Sequence, residues 1–163
     1  MSGKIISCVI SCYNEEENLP TLLNQINSNQ LEKKIEFVIV NNGSTDNSWN
    51  IILENKKLFP EIKFINVKED LGWGNGIMEG LKHTNCKFVG WIHGDLQYDM
   101  KILFQVIEIL EKPQNQNQNV LIKGRRAKRK FSEDFFTLTM GILASILLRK
   151  ILFDINAQPS FFS

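Results

Sequence analysis

A single carboxylate follows an apolar run near the middle of the chain. The run Phe88–Ile92 leads directly into a short polar segment that contains Gly94 and Asp95. In open α/β sheets, ligands bind just beyond the carboxyl ends of the strands. Asp95 in such a position could hold a divalent cation against a phosphate, although an ordinary Asp-containing turn gives the same pattern.

Polar residues also end the two apolar runs nearest the N-terminus. Ile5–Ser11 is followed by Tyr13 and Glu15, which could stack on a nucleobase and accept hydrogen bonds from a base or a ribose. Ile35–Val40 is followed by Asn-Asn-Gly-Ser-Thr-Asp-Asn-Ser at positions 41–48, a cluster that marks many strand-to-helix turns. The glycine pattern of dinucleotide-binding folds is absent after the first run.

A third segment, Gly72–Gly76, carries three glycines among five residues. Such glycines let backbone amides approach a phosphate at a helix N-terminus, and they equally let a helix pack closely on a sheet. The sequence leaves both roles open. We expect a glycine-rich turn over these five residues, followed by a helix through Met78 and Leu81.

The elements that must position these segments follow from the hydrophobic periodicity. Strands are predicted at Ile5–Ser11, Ile35–Val40, Ile62–Val67, Phe88–Ile92 and Val120–Ile122. Helices are predicted after a cap at Asn18, from Asp46 or Asn47, through Met78, over Lys101–Leu110 and from Glu133 to about Leu152, with a flexible loop at Gln114–Asn119. Strands alternating with helices indicate an α/β fold, with a mostly parallel sheet sandwiched by helices in a single domain over residues 1–163.

The overall charge and hydropathy of the chain point to neither nucleic acid nor a membrane span. Its 19 basic and 18 acidic residues nearly cancel, and no stretch reaches the ~20 apolar residues of a transmembrane helix. The three cysteines lack metal-site spacing and are predicted to be reduced thiols of a cytoplasmic protein.

Taken in order, these segments resemble glycosyltransferase family 2, and within it the dolichyl- and polyprenyl-phosphate sugar synthases. The motifs that carry the resemblance are Tyr-Asn-Glu at 13–15, Asn-Asn-Gly-Ser-Thr-Asp at 41–46, Gly-x-Gly at 72–74, Gly-Asp-Leu-Gln at 94–97, Lys-Gly-Arg-Arg at 123–126 and Asp-Ile-Asn-Ala-Gln-Pro at 154–159. The resemblance implies the Rossmann-like GT-A fold. It also implies sugar transfer from a nucleoside-diphosphate sugar with inversion, assisted by Mg²⁺ or Mn²⁺.

The same resemblance assigns roles to individual residues. It implies that the donor is bound by Ser11, Tyr13, Glu15, Asn41, Asn42, Gly94 and Gln97. Asp95 matches the metal-binding carboxylate of the family's Asp-x-Asp motif, and Arg126 matches an arginine that contacts the donor diphosphate. Together with the metal, these two residues would neutralise the charge that grows on the departing diphosphate.

Two departures from the family pattern affect the donor site. Asn41 and Asn42 stand where the family has aspartates, so base and ribose contacts lose charge and the accepted nucleotide is left open. His93 stands at the first position of Asp-x-Asp. An imidazole ligand suits Mn²⁺ better than Mg²⁺, whereas one carboxylate with diphosphate oxygens and waters would hold Mg²⁺ without it. His93 is therefore a candidate metal ligand and not a required one.

The acceptor side is indicated by a basic run at residues 123–130, six of whose eight residues are Lys or Arg. Such a run could meet a lipid phosphate or the cytoplasmic face of an anionic membrane. Nucleic acid is its rival by composition, but little aromatic interleaving accompanies it, and we expect no nucleic-acid partner. The predicted helix at 133–152 is apolar nearly all round, which fits either a core helix or one lying in a membrane interface.

No general base can be named from the sequence, which mildly favours an acceptor that is already anionic, such as a lipid phosphate. The resemblance also implies that family members continue past this sequence, so we expect the acceptor-side C-terminal portion to be missing. A non-catalytic sugar-nucleotide-binding protein and a basic nucleic-acid-binding module are the alternative functions. Whether the chain forms a homo-oligomer is left open.

Overall fold

The computed structural model describes residues 3–124, 145 and 158–163. These residues form the strands β1 (Ile6–Cys12), β2 (Ile35–Asn42), β3 (Lys63–Val67), β4 (Phe88–Trp91), β5 (Leu121–Lys123) and β6 (Ser160–Phe162). The helices are α1 (Leu19–Ser28), α2 (Ser48–Asn55), α3 (Trp73–Leu81), α4 (Ile102–Leu110) and α5 (Pro113–Gln116), with a 3-10 turn at Leu31–Lys33.

The strands form one sheet in the order β3-β2-β1-β4-β6-β5. The strands β3, β2, β1 and β4 are parallel, whereas β6 runs antiparallel to both β4 and β5. In the central register, Ile6 of β1 pairs with Ile35 of β2 and Phe88 of β4. The carboxyl ends of β1, β2 and β4 therefore share one edge of the sheet, which is where ligands bind in such folds.

Helices cover both faces of this sheet. On one face, Ile6 and Ile10 of β1 join a large core that includes residues of α1, α2 and α4. On the other, Val9 packs with Val40 and with Ile77 of α3. Every residue of β1 is buried as a result. Apart from two small serines, Ser7 and Ser11, the strand consists of Ile, Val and Cys, as expected for a strand covered on both faces. The predicted α/β class, with a mostly parallel sheet between helices, is confirmed.

The glycine-rich segment is different from its prediction as a five-residue turn, because α3 already begins at Trp73. Gly72 alone makes the turn, with a φ of 75° that glycine adopts without strain. Gly76 and Gly80 lie inside the helix and face the sheet. A Cβ atom would come within 2.4 Å of Ser11 Oγ at Gly76 and within 2.3 Å of Val9 Cγ1 at Gly80, so these two glycines let α3 pack closely on β1.

The antiparallel strand β6 was not predicted. It has only three residues, too few for a hydrophobic pattern to show, and it lies between β4 and β5. Gly90 of β4 makes room for it, since a Cβ atom there would lie 2.2 Å from Ser160 O. On either side, β4 ends one residue earlier than predicted and β5 begins one residue later.

The segment predicted as a flexible loop after α4 begins instead with the short helix α5. Pro113 suits the first turn of a helix because its missing N–H needs no partner there. The Asn115 and Gln116 side chains donate hydrogen bonds to Ile109 O and Leu110 O, the exposed carbonyls at the end of α4. The helix predicted over residues 133–152 lies outside the described residues.

No helix in the described ranges is long and apolar enough to cross a membrane.

Candidate functional site

The residues predicted to form a site converge at the carboxyl edge of the sheet. Those within the described ranges belong to the ends of β1, β2 and β4 or to the loops that follow them: Ser11, Tyr13, Glu15, Asn41, Asn42, His93, Gly94, Asp95 and Gln97. These three strands are neighbours in the sheet. Arg126 lies outside the described residues.

The loops after β1 and β2 are tied together by hydrogen bonds. Asn14, whose φ is 54°, donates its backbone N–H to Ser44 Oγ at 3.0 Å, and its Oδ1 accepts from Thr45 N at 2.8 Å. Glu15 N donates to Ser48 Oγ at 2.9 Å. The side-chain oxygen of Asn14 therefore holds the two loops together.

A second set of bonds reinforces this junction. Asp46 Oδ1 accepts from Ser48 N and its Oδ2 accepts from Glu16 N, both at 3.0 Å. Burial raises the pKa of Asp46, but the hydrogen bonds from Ser48 and Glu16 outweigh it and the pKa is lowered overall. These hydrogen bonds hold the loop after β1 and the loop after β2 against each other. The two loops form one wall of the site, beside the exposed ring of Tyr13.

The start of α1 in this wall differs from its prediction. The side chain of Asn18 does not cap the helix; its Nδ2 donates to Glu15 Oε2 at 2.6 Å. The backbone carbonyl of Glu15 instead accepts from the N–H groups of Asn18 and Leu19. Hydrogen bonds hold both the carboxylate and the backbone carbonyl of Glu15, so the position of this residue beside the site is fixed.

Both asparagines at the end of β2 are buried, with 3% of Asn41 and 1% of Asn42 exposed. Asn41 Nδ2 donates to Asn66 Oδ1 at 2.7 Å, while its Oδ1 has no partner among the described residues. Asn42 Nδ2 donates to Asp70 Oδ1 at 2.8 Å. These amides hold the end of β3 and the loop that follows it, and they offer almost no surface to a ligand.

Asp70 is the exposed group beside Asn42, and the sequence pattern did not single it out. Its backbone lies against Gly43, where a Cβ atom would be 2.3 Å from Asp70 N. Its Oδ1 also accepts from Gly72 N at 2.8 Å. The only available signal was an acid two residues before a turn glycine, a spacing typical of local side-chain turns in general.

The loop after β4 holds Asp95 beside His93. Gly94, between them, is packed against β1, where a Cβ atom would be 3.0 Å from Cys12 Sγ. Asp95 Oδ1 accepts from Gln97 N at 3.2 Å. Asp95 Oδ2 lies 3.1 Å from His93 Nδ1, but the two atoms are not aligned for a hydrogen bond, and Nδ1 is buried without a hydrogen-bonding partner in the described part of the chain.

Trp73 is the second site residue that sequence reasoning missed. As the first residue of α3, it stacks on the imidazole of His93, with ring centroids 5.7 Å apart and ring planes 10° apart. In the sequence it was only the residue between the two glycines of Gly-x-Gly. Nothing in the spacing indicated that the loops after β3 and β4 would meet across the end of β1.

The arrangement fits a metal ion only in part. No group of three or more His, Cys, Asp or Glu side chains within the described ranges is placed to hold one. Asp95, 23% exposed, offers one hard oxygen ligand of the kind that Mg²⁺ and Mn²⁺ accept. Such a cation would need most of its ligands from a bound anion, as when a diphosphate supplies oxygens.

One family model and several known proteins match this chain. The family model described as "Glycosyl transferase family 2" matches residues 7–155. The chain is 34% identical over 107 residues to a poly-β-1,6-N-acetyl-D-glucosamine synthase of Staphylococcus epidermidis. This alignment covers 66% of this chain and 26% of that protein. It is 31% identical over 152 residues to the dolichyl-phosphate β-glucosyltransferase ALG5A of Trichomonas vaginalis. This alignment covers 85% of this chain and 46% of that protein. The chain thus spans between about a quarter and a half of the length of these relatives.

Solved structures share the fold. Glucosyl-3-phosphoglycerate synthase from Mycobacterium tuberculosis, in complex with uridine diphosphate, superposes with a TM-score of 0.69 at 18% identity, over 99% of this chain and 57% of that one. A mannosyltransferase from Pyrobaculum calidifontis, in complex with GDP-Man and Mn²⁺, superposes with a TM-score of 0.63 at 19% identity. The superposition covers 79% of this chain and 37% of that one.

Proposed function

Because the chain belongs to glycosyl transferase family 2, we propose that it binds a nucleoside-diphosphate sugar at the carboxyl edge of its sheet and transfers the sugar with inversion. The observation that carries this proposal is the convergence of Asp95, Tyr13 and Asp70 from three separate loops on that edge. An aromatic ring, an exposed carboxylate and a potential metal-binding carboxylate are the groups that a base, a ribose and a diphosphate require.

In this proposal the nucleoside lies against the wall formed by the loops after β1 and β2. The exposed ring of Tyr13 stacks on the base, and Glu15 accepts hydrogen bonds. Ser11, Asn41 and Asn42 support the site from beneath, because all three are buried. The exposed carboxylate beside Asn42 is that of Asp70, and we assign the nucleoside contact of the family's second aspartate to it.

The diphosphate lies toward the loop after β4, near Gly94, Asp95 and Gln97. Asp95 would hold Mg²⁺ or Mn²⁺, which when bound supplies positive charge against the diphosphate. Arg126 would add a second positive charge. Transfer leaves the nucleoside diphosphate with an additional negative charge, so groups prepared to receive that charge lower the barrier most. The two superposed structures, one in complex with UDP and the other with GDP-Man and Mn²⁺, support this assignment.

The acceptor is proposed to be a polyprenyl or dolichyl phosphate or a growing glycan. The match to a dolichyl-phosphate glucosyltransferase covers more of the chain than the match to a polysaccharide synthase. The basic run at residues 123–130 could meet a lipid phosphate at the cytoplasmic surface of a membrane. A lipid phosphate is already anionic and requires no general base.

Titration calorimetry of the chain with UDP and GDP, with Mn²⁺ or with EDTA, tests the donor site. We expect binding to one nucleotide to strengthen in Mn²⁺, and Asp95→Asn to remove that gain. Asp99→Asn is the matched control: Asp99 is an exposed carboxylate of the same loop whose Oδ1 accepts from Lys101 N, and asparagine can keep that bond. Absence of binding, or equal effects of the two substitutions, would contradict the proposal.

A sugar-nucleotide-binding protein without transferase activity is the second candidate. It is favoured by the amides that replace both family aspartates at the end of β2. A transfer assay with labelled UDP-sugars or GDP-sugars and a polyprenyl phosphate separates the two. Nucleotide binding in Mn²⁺ without transfer or hydrolysis would identify the binding protein.

A further inference from the structure

The stacked pair of Trp73 and His93 connects two loops that are far apart in sequence. The order of strands places β2 and β3 on one side of β1 and β4 on the other. Trp73 begins the helix after β3, and His93 follows β4 by two residues. Their parallel rings, 5.7 Å apart between centroids, therefore meet across the end of the central strand. Offset stacking at this separation is a favourable aromatic contact.

The backbone around His93 has little freedom, so its side chain is the part that the stack controls. Gly94 is pressed against Cys12 and Ile10 of β1, and Leu96, with a left-handed φ of 56°, packs against the main core. The imidazole is not held by a hydrogen bond at Nδ1 from any described residue. Trp73 therefore supplies the contact that fixes the plane of this ring.

The plane of the imidazole matters because Nδ1 lies 3.1 Å from Asp95 Oδ2. At this separation the imidazole and the carboxylate are in contact, so a ring held in place by the stack limits where the Asp95 side chain can lie. The same Nδ1 atom is buried, which places it toward the carboxylate and away from solvent where a metal ion would enter.

We propose that Trp73 is a positioning residue of the donor site: by stacking on His93 it holds the imidazole against Asp95, and His93 orients that carboxylate instead of binding the metal. This inference rests on the proposed function, since Asp95 is its proposed metal-binding group. Partners that orient a ligating carboxylate commonly matter for metal affinity by about 10- to 100-fold. Trp73 would thus affect metal-dependent binding without touching the metal.

Titration of the full chain with UDP and GDP in Mn²⁺, Mg²⁺ or EDTA tests the inference. We expect Trp73→Leu and His93→Phe to weaken binding in either metal by about tenfold and to leave binding in EDTA unchanged. Trp73→Phe keeps an aromatic ring and should stay within about twofold of the unsubstituted chain. Met78→Ala removes an exposed apolar side chain from the same helix and serves as the control, with no expected effect.

The two metals separate a positioning role from ligation. Imidazole ligation favours Mn²⁺ over Mg²⁺, so a ligand role predicts that His93→Phe loses mainly Mn²⁺-dependent affinity. That result would overturn the proposal, as would unchanged binding in Trp73→Leu or an equal loss with and without metal. If the unsubstituted chain binds neither nucleotide, the proposed function fails, and this inference fails with it.

The stack itself can be observed without a nucleotide, because the chain has only two histidines. The indole ring should shift the NMR signals of His93, and Trp73→Leu should remove that shift. His83, which faces Glu79 on α3, gives the internal reference and should not change. A His93 signal that does not respond to the substitution would refute the stacked arrangement.

Discussion

At the residue scale, burial separates side chains that build the site from those that can touch a ligand. Asn42 occupies the position that the family resemblance marks as donor-binding, yet it is 1% exposed and bonded to Asp70. Asp70 is exposed and held by Asn42, by Gly72 and by the close approach of Gly43. An exposed carboxylate therefore lies beside position 42, on the loop that follows β3.

Asp70→Asn should weaken UDP or GDP binding by about tenfold, since a hydrogen bond to a charged acceptor is replaced by one to a neutral acceptor. The direction of the change in affinity distinguishes direct contact from a long-range charge effect. Removing a negative charge near an anionic diphosphate strengthens binding at long range, so a loss indicates direct contact. Calorimetry measures the change. Glu69→Gln removes an exposed charge one residue away and should leave affinity unchanged or slightly higher; a loss there equal to that of Asp70→Asn would contradict the assignment.

Asn42→Asp should destabilise the fold by roughly 1–3 kcal/mol, because it replaces an amide donor with a carboxylate 2.8 Å from that of Asp70. The double substitution Asn42→Asp with Asp70→Asn restores one donor and one acceptor across the same contact. Urea unfolding should show that most of the lost stability returns. Additive destabilisation by the two substitutions would show that the pair is not coupled.

At the element scale, α3 determines how the site is assembled, because it joins the loop after β3 to the face of β1. The four glycines in and just before this helix are not equivalent. Gly72 makes the turn into the helix, Gly76 and Gly80 lie against the sheet, and a Cβ atom added at Gly74 would meet nothing within 4 Å. The sequence showed Gly72, Gly74 and Gly76 as one cluster and left phosphate binding and close packing open.

Gly80→Ala should lower the free energy of unfolding by about 1–3 kcal/mol, because its methyl group would overlap the side chains of Val9 and Val40. Gly74→Ala is the matched control on the same helix. There the added methyl group has open space, and the better helix propensity of alanine should stabilise the protein by about 0.5–1 kcal/mol. Chemical unfolding of both variants measures the difference. Equal effects would mean that α3 does not pack closely at Gly80.

At the scale of the whole molecule, a polar cluster lies at the sheet edge opposite the site. Glu36, at the start of β2, accepts hydrogen bonds from Ser7 of β1, Lys63 of β3 and Asn85 of the loop before β4. Burial raises the pKa of Glu36, but these hydrogen bonds outweigh it and lower the pKa from 4.5 to about 2. One carboxylate thereby joins three strands and the loop that follows α3.

Because the pKa of Glu36 is lower in the folded state, its contribution to stability is present above pH 4.5 and is lost as the pH falls toward 2. Glu36→Gln should therefore reduce stability at pH 7 and make its decline over that window shallower. Urea unfolding at several pH values measures both effects. Glu54→Gln removes an exposed carboxylate of α2 and should leave the decline unchanged; an unaltered slope in Glu36→Gln would contradict the linkage.

The sequence alone determined the alternation of strands and helices, the parallel core of the sheet, and the family. The strands and helices depend on patterns within about 5 to 10 neighbouring residues, such as the largely apolar run of β1 or the helical spacing of α1. The family was indicated by several short motifs taken in order along the chain. It also brought the segments after β1, β2 and β4 to one edge, because parallel strands share their carboxyl ends.

Only the tertiary structure decided which side chains at that edge are buried and which are exposed. Asn42 and Asp70 are 28 residues apart, and Trp73 and His93 are joined only because α3 lies across β1. The strand β6 required the same long-range information, since three residues acquire a conformation only when β4 and β5 lie on either side of them. Contacts between distant segments leave no periodic pattern in the sequence. They decide which side chains at this edge are buried as supports and which are exposed to a ligand.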